Sequence, residues 1–171
     1  MSFFFWVLRE LGRFRVVRRS VRGHVVLYRL TNGRVGGSFG GAPILLLTTV
    51  GRKTGKRWTT PLIYLADGGE FVVVAGGRGV VRPSWYYNLR DDPEVSIRIG
   101  RRVLGVRAST VEPERRKELW ARLTAIFPAY EDHQRTAGRE FPVVAFAPTG
   151  RHRAEDVVDA GSESGVERAG S

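Results

Sequence analysis

The sequence lacks cysteine altogether and has only three histidines in 171 residues. Without cysteine there is no disulfide, no thiolate nucleophile and no zinc–thiolate site, which favours a cytoplasmic protein. His24, His133 and His152 are too scattered along the chain to suggest a metal site. No metal is therefore expected.

Long apolar runs are also missing. The longest run near the start, Phe3 to Leu8, is far shorter than the roughly 18 residues of a membrane-spanning helix. No basic residue precedes this run and Arg9 ends it, so we do not expect a signal peptide. With 42% apolar and 26% charged residues, the composition is that of a globular chain with one core.

Acidic residues are few compared with basic ones, since 17 Asp and Glu stand against 28 Lys and Arg, a net charge of +11. Residues 1–34 hold eight of the arginines and a single acid, Glu10. Such a charge favours an anionic partner, which is a nucleic acid, a membrane surface or a small polyanion. No helix-turn-helix or RNA-binding aromatic pattern is recognisable, so we do not expect a nucleic acid.

The two ends of the chain differ from its middle. Residues 1–23 are predicted to form a basic amphipathic helix over 3–22, although Arg15 and Arg18 interrupt its apolar stripe. Its aromatic start and arginines suit adsorption of residues 1–22 to an anionic membrane surface, here the inner face of the cell membrane. A helix that packs on the rest of the protein or contacts a second copy in a homodimer is equally compatible with the pattern. Residues 150–171 are predicted to be a disordered tail.

Residues 24–149 are predicted to form one β-rich domain. Alternating apolar residues predict strands at 44–49, 58–66, 70–75, 94–99, 102–111 and 142–147. Pro113 is predicted to open one long helix that reaches Phe127 and packs on the strands. Short glycine turns between strands suit antiparallel hairpins. The expected fold is mainly β with helices, a small closed or split β-barrel.

One turn between the first two long strands is unusually basic, and we call residues 51–57 the cation turn. It reads Gly51-Arg52-Lys53-Thr54-Gly55-Lys56-Arg57. Glycines that free the backbone, together with four cations, are typical of a small site where amides and guanidinium groups bind phosphate or carboxylate. It is not a P-loop, because the spacing is one residue short, the final Ser/Thr is missing and no helix follows. A solvated hairpin tip is the alternative reading.

Glycines and aromatic residues mark a second region. Gly76-Gly77 follows a buried strand, and glycine lets a backbone or a flat ring approach closely, although a plain loop is the simpler interpretation. Three adjacent aromatics follow at Trp85, Tyr86 and Tyr87, of which one or two belong to a core and another could line a ring pocket.

Tyr130 and His133 are the candidate proton donors. They lie three residues apart beyond Pro128 and could share one face of a helical turn. A structural pair is the alternative. No Ser-His-Asp spacing and no nucleophile elbow is recognisable.

An ordered series of segments spans about residues 24–148, namely Leu27–Arg34, Leu45–Lys56, Thr60–Tyr64, Pro83–Leu89, Phe127–Tyr130 and Phe141–Val144. Together they resemble the deazaflavin (F420)-dependent nitroreductase family. The resemblance implies a split β-barrel similar to FMN-binding barrels, with reduced coenzyme F420 as the hydride donor.

The resemblance also gives the cation turn a ligand, because F420 carries a phosphodiester and an oligoglutamate tail on a flat ring. It places the phosphate region at Arg52, Lys53 and Thr54. It implies that the ring is lined by Trp58, Thr59, Thr60, Pro61, Leu62, Ile63, Val74, Ala75, Gly76, Gly77, Ser84, Trp85, Tyr86, Tyr87 and Asn88, with Tyr130 closing over it. Tyr130 and His133 are then the residues expected to donate a proton or to contact the substrate.

The implied function is an F420H2-dependent oxidoreductase that transfers a hydride to a small electrophilic acceptor, namely a quinone, a nitroaromatic compound or an activated C=C bond. Two alternatives stay open at this point. One is an FMN-dependent reductase with a split barrel, and the other is a non-enzymatic basic protein that binds a membrane surface or a cofactor.

Overall fold

A computed structural model describes residues 14–76 and 82–150 of the chain. The start of the predicted N-terminal helix, Gly77 and residues 151–171 of the predicted tail lie outside the described residues. The strands are β1 (Ser38–Phe39), β2 (Ala42–Val50), β3 (Arg57–Asp67), β4 (Glu70–Val74), β5 (Glu94–Ile99), β6 (Arg102–Thr110) and β7 (Val143–Pro148). The helices are α1 (Phe14–Leu30), α2 (Ser84–Asp91), α3 (Pro113–Ile126) and α4 (Ala129–Ala137).

The strands form an antiparallel barrel. Neighbours follow the order β2, β3, β4, β7, β6, β5, and β5 pairs back with β2 to close it. The short β1 pairs only with the start of β2. Closure removes the exposed edges that an open sheet of this size would present. The predicted barrel is therefore confirmed, with six strands in the closed ring.

Two apolar layers explain the continuous Leu-rich run of β2. Successive strand side chains point to opposite faces. Leu45 and Leu47 therefore point into the barrel with Val73 and Val144, while Ile44 and Leu46 point outward and pack under α1. Because both faces of β2 are covered, its sequence is apolar at consecutive positions instead of alternating.

Helix α1 continues to Leu30, beyond the end predicted at residue 22, so residues 24–30 belong to the helix and not to the barrel. The sequence pattern predicted too early an end for this helix, because Gly23 is a weak helix former and the apolar stripe is imperfect. Tertiary packing outweighs the low helix propensity of one glycine. The Tyr28 hydroxyl, in a fully buried side chain, donates a hydrogen bond to the Ile44 carbonyl oxygen over 3.0 Å. The same hydroxyl accepts the N–H of Gly100 over 3.0 Å, which fastens α1 to β2 and to the β5–β6 turn.

Helices α3 and α4 cover the outer face of β4 and β7. Leu119 and Leu123 of α3 pack with Val72 and Val143 in the second apolar cluster. Helix α4 is a full element where the sequence predicted only a helical turn, and it ends at Gly138 in the left-handed conformation, with φ of +62°. Within residues 14–76 and 82–150, none of the helices has the length and apolar character needed to span a bilayer.

Candidate functional site

Strand β3 has an open edge along its first half. It pairs with β2 from Arg57 to Ile63, whereas β4 pairs with it only from Tyr64 to Asp67. Beyond that point the chain of β4 leaves β3, and the Ala75 N–H donates to the Pro142 carbonyl oxygen over 2.8 Å instead. Within the described residues, 57–63 thus have a strand partner on one side only. We call the space between residues 57–63 and residues 74–76 the split.

The side chains of β3 are correspondingly accessible. All of its residues are half-buried or exposed, whereas most of β2 is buried. Alternate residues of an antiparallel strand direct their backbone N–H and C=O groups to opposite sides. About half of the backbone groups of residues 57–63 therefore face the split and can bind a flat polar ring.

The cation turn connects β2 to β3 at the upper end of the split. Its backbone is wound on itself, because the N–H of Gly51 donates to Lys56 and the N–H groups of Thr54 and Gly55 both donate to Gly51. The Lys56 N–H donates to the Thr54 hydroxyl over 3.4 Å. These backbone amides are thus already occupied within the turn, which leaves an anion mainly to the side chains.

Three of those side chains are exposed cations without an acidic partner. Arg52, Lys53 and Lys56 are exposed, and in the part of the chain that the structure describes none of them forms an ion pair. Cations held together without counter-charges attract a phosphate or carboxylate group, which they bind by charge-assisted hydrogen bonds. A phosphodiester with a polycarboxylate tail therefore fits this turn.

Helix α2 contacts the cation turn through Tyr87 and Asn88. The guanidinium carbon of Arg52 lies 4.8 Å from the ring centroid of Tyr87, a cation–π contact. The backbone N–H of Arg52 donates to Asn88 Oδ1 over 3.3 Å. Asn88 Nδ2 in turn donates to the Thr49 hydroxyl over 3.0 Å. The structure thus brings together the predicted residues Arg52, Tyr87 and Asn88, and Thr49 is a partner that the sequence did not indicate.

The predicted residues of β3 divide between two faces. Trp58, Thr60 and Leu62 alternate with Thr59, Pro61 and Ile63. Leu62 packs against the barrel interior, whereas Ile63 packs against the α1 cluster on the outside.

Thr59 lies on the outer side of the strand. Its hydroxyl is 3.0 Å from that of Thr48 and accepts a hydrogen bond from Arg29 of α1 over 3.4 Å. Arg29 is a further residue missed from the sequence, because it stands thirty residues away in the chain.

Residues 74–76 form the opposite side of the split. Val74 and Ala75 are buried, backbone included, and neither presents a side chain to a ligand. The Gly76 carbonyl oxygen accepts a hydrogen bond from Arg139. A Cβ added to Gly76 would lie 3.1 Å from the Phe141 ring, so a larger residue there would need that ring to shift. Arg139 had no recognisable signal in the sequence.

The aromatic residues of α2 have separate roles. Trp85 is 6% exposed and packs in the barrel core, so its indole does not present an open face to a ring. The Tyr86 hydroxyl lies 3.4 Å from that of Thr110, and Tyr87 supports Arg52. Ser84 is exposed at the first residue of the helix.

Tyr130 and His133 lie on α4, which packs outside the barrel. The Tyr130 ring centroid is 5.0 Å from that of Phe127 and 6.3 Å from that of Trp120, and the His133 ring is 6.4 Å from that of Phe127. Burial raises the pKa of the Tyr130 phenol well above its ordinary value, so this hydroxyl keeps its proton. Tyr130 is thereby suited to donate a hydrogen bond and poorly suited to release a proton.

Among residues 14–76 and 82–150, no group of His, Asp or Glu side chains is placed to hold a metal ion.

Comparison with known proteins points to one family. The sequence model of the family described as F420H2-dependent quinone reductase matches residues 20–148. A protein of Mycobacterium tuberculosis H37Rv named F420H2-dependent quinone reductase is 38% identical over 146 residues, which cover 81% of this chain and 93% of that protein. A second protein of the same strain, named putative F420H2-dependent quinone reductase, is 35% identical over 107 residues, 62% of this chain and 90% of its own length.

Two solved structures have similar folds. An F420-H2 dependent reductase, FDR-A, superposes with a TM-score of 0.55 at 34% identity and covers 61% of this chain and 93% of its own. A structure described as a domain-swapped dimer superposes with a TM-score of 0.57 at 32% identity, covering 75% of this chain and 98% of its own.

Proposed function

The chain belongs to the F420H2-dependent quinone reductase family, and from this premise we propose that it holds reduced F420 at the cation turn and in the split, and reduces a quinone. The expectations of an oxidoreductase and of F420 as its cofactor are confirmed for the family. The assignment of individual residues to this cofactor is our proposal.

One observation carries that assignment: the first half of β3, which pairs on one side only, begins directly at a turn in which Arg52, Lys53 and Lys56 are exposed and form no ion pair within residues 14–76 and 82–150. A ligand that combines a flat ring with a long polyanionic chain matches both features at once. Arg52 and Lys53 would hold the phosphodiester, and Lys56 would reach the carboxylates beyond it. The backbone of residues 57–63 would hold the ring.

The chemistry divides between the cofactor and the chain. When bound, reduced F420 supplies the hydride. The chain would hold the ring and the acceptor in contact and exclude water with half-buried side chains such as Trp58 and Leu62. Tyr130, which keeps its proton, would donate a hydrogen bond to the acceptor oxygen. His133, one helical turn along α4 from Tyr130, would deliver the proton that completes quinone reduction.

Titration of the purified protein with F420, followed by ring fluorescence, tests this proposal. We expect saturable binding of F420, no comparable binding of FMN, and oxidation of F420H2 when a soluble quinone such as menadione is added. Saturable FMN binding without F420 binding would support the FMN-dependent alternative and contradict the proposal.

The acceptor range is a separate part of the proposal. We place quinones first because the relatives carry that name. Nitroaromatic compounds and activated C=C bonds stay as predictions from the sequence. Parallel assays with menadione, a nitroimidazole and a cyclic enone at equal F420H2 rank the three classes, and a higher kcat/KM for the nitroimidazole would overturn the order.

We also propose that α1 adsorbs to anionic lipid, where a lipophilic quinone would be found. Val26, Leu27 and Leu30 are exposed on this helix, at 55%, 45% and 72%. No Asp or Glu occurs between Leu11 and Ala66, so this region carries positive charge only. Apolar side chains among cations fit the interface of an anionic bilayer.

Sedimentation with liposomes tests the lipid proposal. Val21 packs against the α1 cluster, so a deletion up to residue 22 would also damage the fold. The more selective variant is Val26→Gln with Leu30→Gln. We expect it to bind vesicles with 30% phosphatidylglycerol less well, with F420 affinity unchanged. Equal binding by variant and wild type, or equal binding to purely zwitterionic vesicles, would contradict the proposal.

A homodimer is the remaining proposal on partners, and the related structure described as a domain-swapped dimer supports it. Light scattering after gel filtration measures the mass directly. A mass of about 19.1 kDa, that of one chain, would contradict it.

A further inference from the structure

Asn88 links the barrel end to the cation turn through both polar atoms of its amide. The residue is 7% exposed on α2 and lies between the core residues Trp85 and Leu89. Its Oδ1 accepts the backbone N–H of Arg52 over 3.3 Å. Its Nδ2 donates to the hydroxyl of Thr49, which is 2% exposed on β2, over 3.0 Å.

The orientation of this amide follows from its partners. A backbone N–H can only donate, so the atom facing Arg52 must be the oxygen of Asn88. The nitrogen then faces Thr49, whose hydroxyl can accept. Both hydrogen bonds are made from a buried side chain, and the loss of either would leave a polar group without a partner.

We propose that Asn88 is a positioning residue, which sets the location of Arg52 for cofactor binding and does not itself contact the cofactor. This inference rests on the proposed F420 site. The amide of Asn88 is buried, and its oxygen and its nitrogen each already bind a protein group, so it presents little surface to a ligand. Tyr87, the preceding residue of the same helix, supports the Arg52 guanidinium group, so α2 holds Arg52 by its backbone and by its side chain.

The physical consequence concerns the free protein. The hydrogen bonds within the turn fix its local shape. Asn88 and Tyr87 fix where that turn lies relative to the split. A turn placed before the cofactor arrives pays less ordering entropy on binding. Loss of Asn88 should therefore weaken binding chiefly through Arg52, the turn residue whose backbone N–H it holds.

A double-mutant cycle between Asn88→Leu and Arg52→Ala measures this coupling by the dissociation constant of F420. We expect Asn88→Leu alone to weaken binding about tenfold, the scale of a lost buried hydrogen bond. In the Arg52→Ala background the same change should alter binding less than about twofold, because the group being positioned is gone. Additive effects would mean that Asn88 acts independently of Arg52 and would overturn the proposal. So would unchanged affinity with lowered thermal stability, which is a purely structural role.

A milder pair of variants covers the case in which Asn88→Leu does not fold. Thr49→Val removes one hydrogen bond of Asn88, whereas Thr110→Val removes the hydroxyl that faces Tyr86 on the same helix. We expect weaker F420 binding for Thr49→Val and none of this effect for Thr110→Val. Equal effects of the two variants would contradict the proposal.

A measurement without cofactor separates this inference from the proposed function. Hydrogen exchange of the Arg52 backbone amide, followed by NMR, should become faster in Asn88→Leu and in Thr49→Val, and stay unchanged in Thr110→Val. If wild-type protein does not bind F420, the proposed function fails, while faster exchange still shows the link from Asn88 to Arg52. Unchanged exchange of the Arg52 amide in both variants would overturn the link itself.

Discussion

The turns at the two ends of β3 carry opposite charges and differ in how those charges are paired. At its start, the cation turn exposes Arg52, Lys53 and Lys56 without acidic partners in the described chain. At its end, residues 67–70 form what we call the acid turn. There, Asp67 accepts hydrogen bonds from Arg115 over 2.8 Å and from Arg122 over 2.6 Å, and Glu70 accepts one from Arg115 over 2.6 Å.

The charges of the acid turn are paired within the protein and stabilise the fold, whereas Arg52, Lys53 and Lys56 are available to bind a ligand. The acid turn is neutralised by α3, so it fastens that helix to the barrel. The cation turn is wound tightly by its own backbone and attached to α2, yet Arg52, Lys53 and Lys56 form no ion pair in the part of the chain that the structure describes. Like charges placed close together destabilise a surface, and they are retained where an anion compensates them.

The largest expected effect comes from removing the uncompensated charges. Arg52→Ala with Lys53→Ala should weaken F420 binding about a hundredfold, because two charge-assisted contacts are lost. Fluorescence titration measures the affinity and thermal unfolding checks the fold, which should be unchanged. Arg101→Ala with Arg102→Ala is the matched control, because this exposed pair lies at the β5–β6 turn, at the other end of the barrel. Equal losses in the two double variants would reduce the effect to net charge.

The opposite outcome is expected at the acid turn. Asp67→Asn should lower the free energy of unfolding by about 1 kcal/mol, at the upper end for partly exposed ion pairs, because Arg115 and Arg122 lose a common partner. Urea unfolding measures this change. F420 affinity should stay within about twofold of wild type. A large loss of affinity would mean that the two turns are not functionally separate.

Two glycine variants sharpen the same contrast. A Cβ at Gly51 would lie 2.8 Å from Thr54 Oγ1 and 3.2 Å from Trp58 Nε1, so Gly51→Ala should displace the cation turn and weaken F420 binding about threefold. Gly68 in the acid turn has φ of +55° and open space around it. Gly68→Ala should therefore cost stability through backbone strain and leave affinity unchanged. F420 titration and urea unfolding of both variants measure these effects. Weaker F420 binding by Gly68→Ala, with Gly51→Ala losing only stability, would contradict the prediction.

The smallest expected effect is the pH dependence of the acid turn. Hydrogen bonds from Arg115 and Arg122 hold the pKa of Asp67 below its ordinary range, so its contribution is complete above about pH 4 and is lost as the pH falls through the lowered pKa. The stability difference between wild type and Asp67→Asn should thus be constant from pH 7 to pH 5 and shrink at more acidic pH. A difference that grows on acidification would contradict this cause.

The barrel and the cation turn could be predicted from the sequence because both depend on local patterns. Alternating apolar residues located β3, β5 and β6, and glycines between cations located the turn at 51–57. The extension of α1 to Leu30 could not be predicted, because it depends on the contact of Tyr28 with Ile44 across sixteen residues. Propensity gives no information about that contact.

The residue types of the candidate site could be predicted from the sequence, but the contacts between these residues could not. Asn88 meets Thr49 across 39 residues and Arg52 across 36, so no spacing rule shows that its amide is occupied. The turn amides were expected to bind the anion; those of Gly51, Thr54 and Gly55 have acceptors within the same turn, which become apparent only from its backbone path. Trp85 was expected to line the cofactor ring, and the structure places its side chain in the barrel core, a contact that its position in the sequence does not reveal.

A crystal structure of the protein with F420 bound tests the proposed site most directly. We expect phosphodiester oxygens within about 3 Å of the side-chain nitrogens of Arg52 and Lys53, with the ring between residues 57–63 and Gly76. A complex in which these two side chains point into solvent and the cofactor lies elsewhere would contradict this proposal.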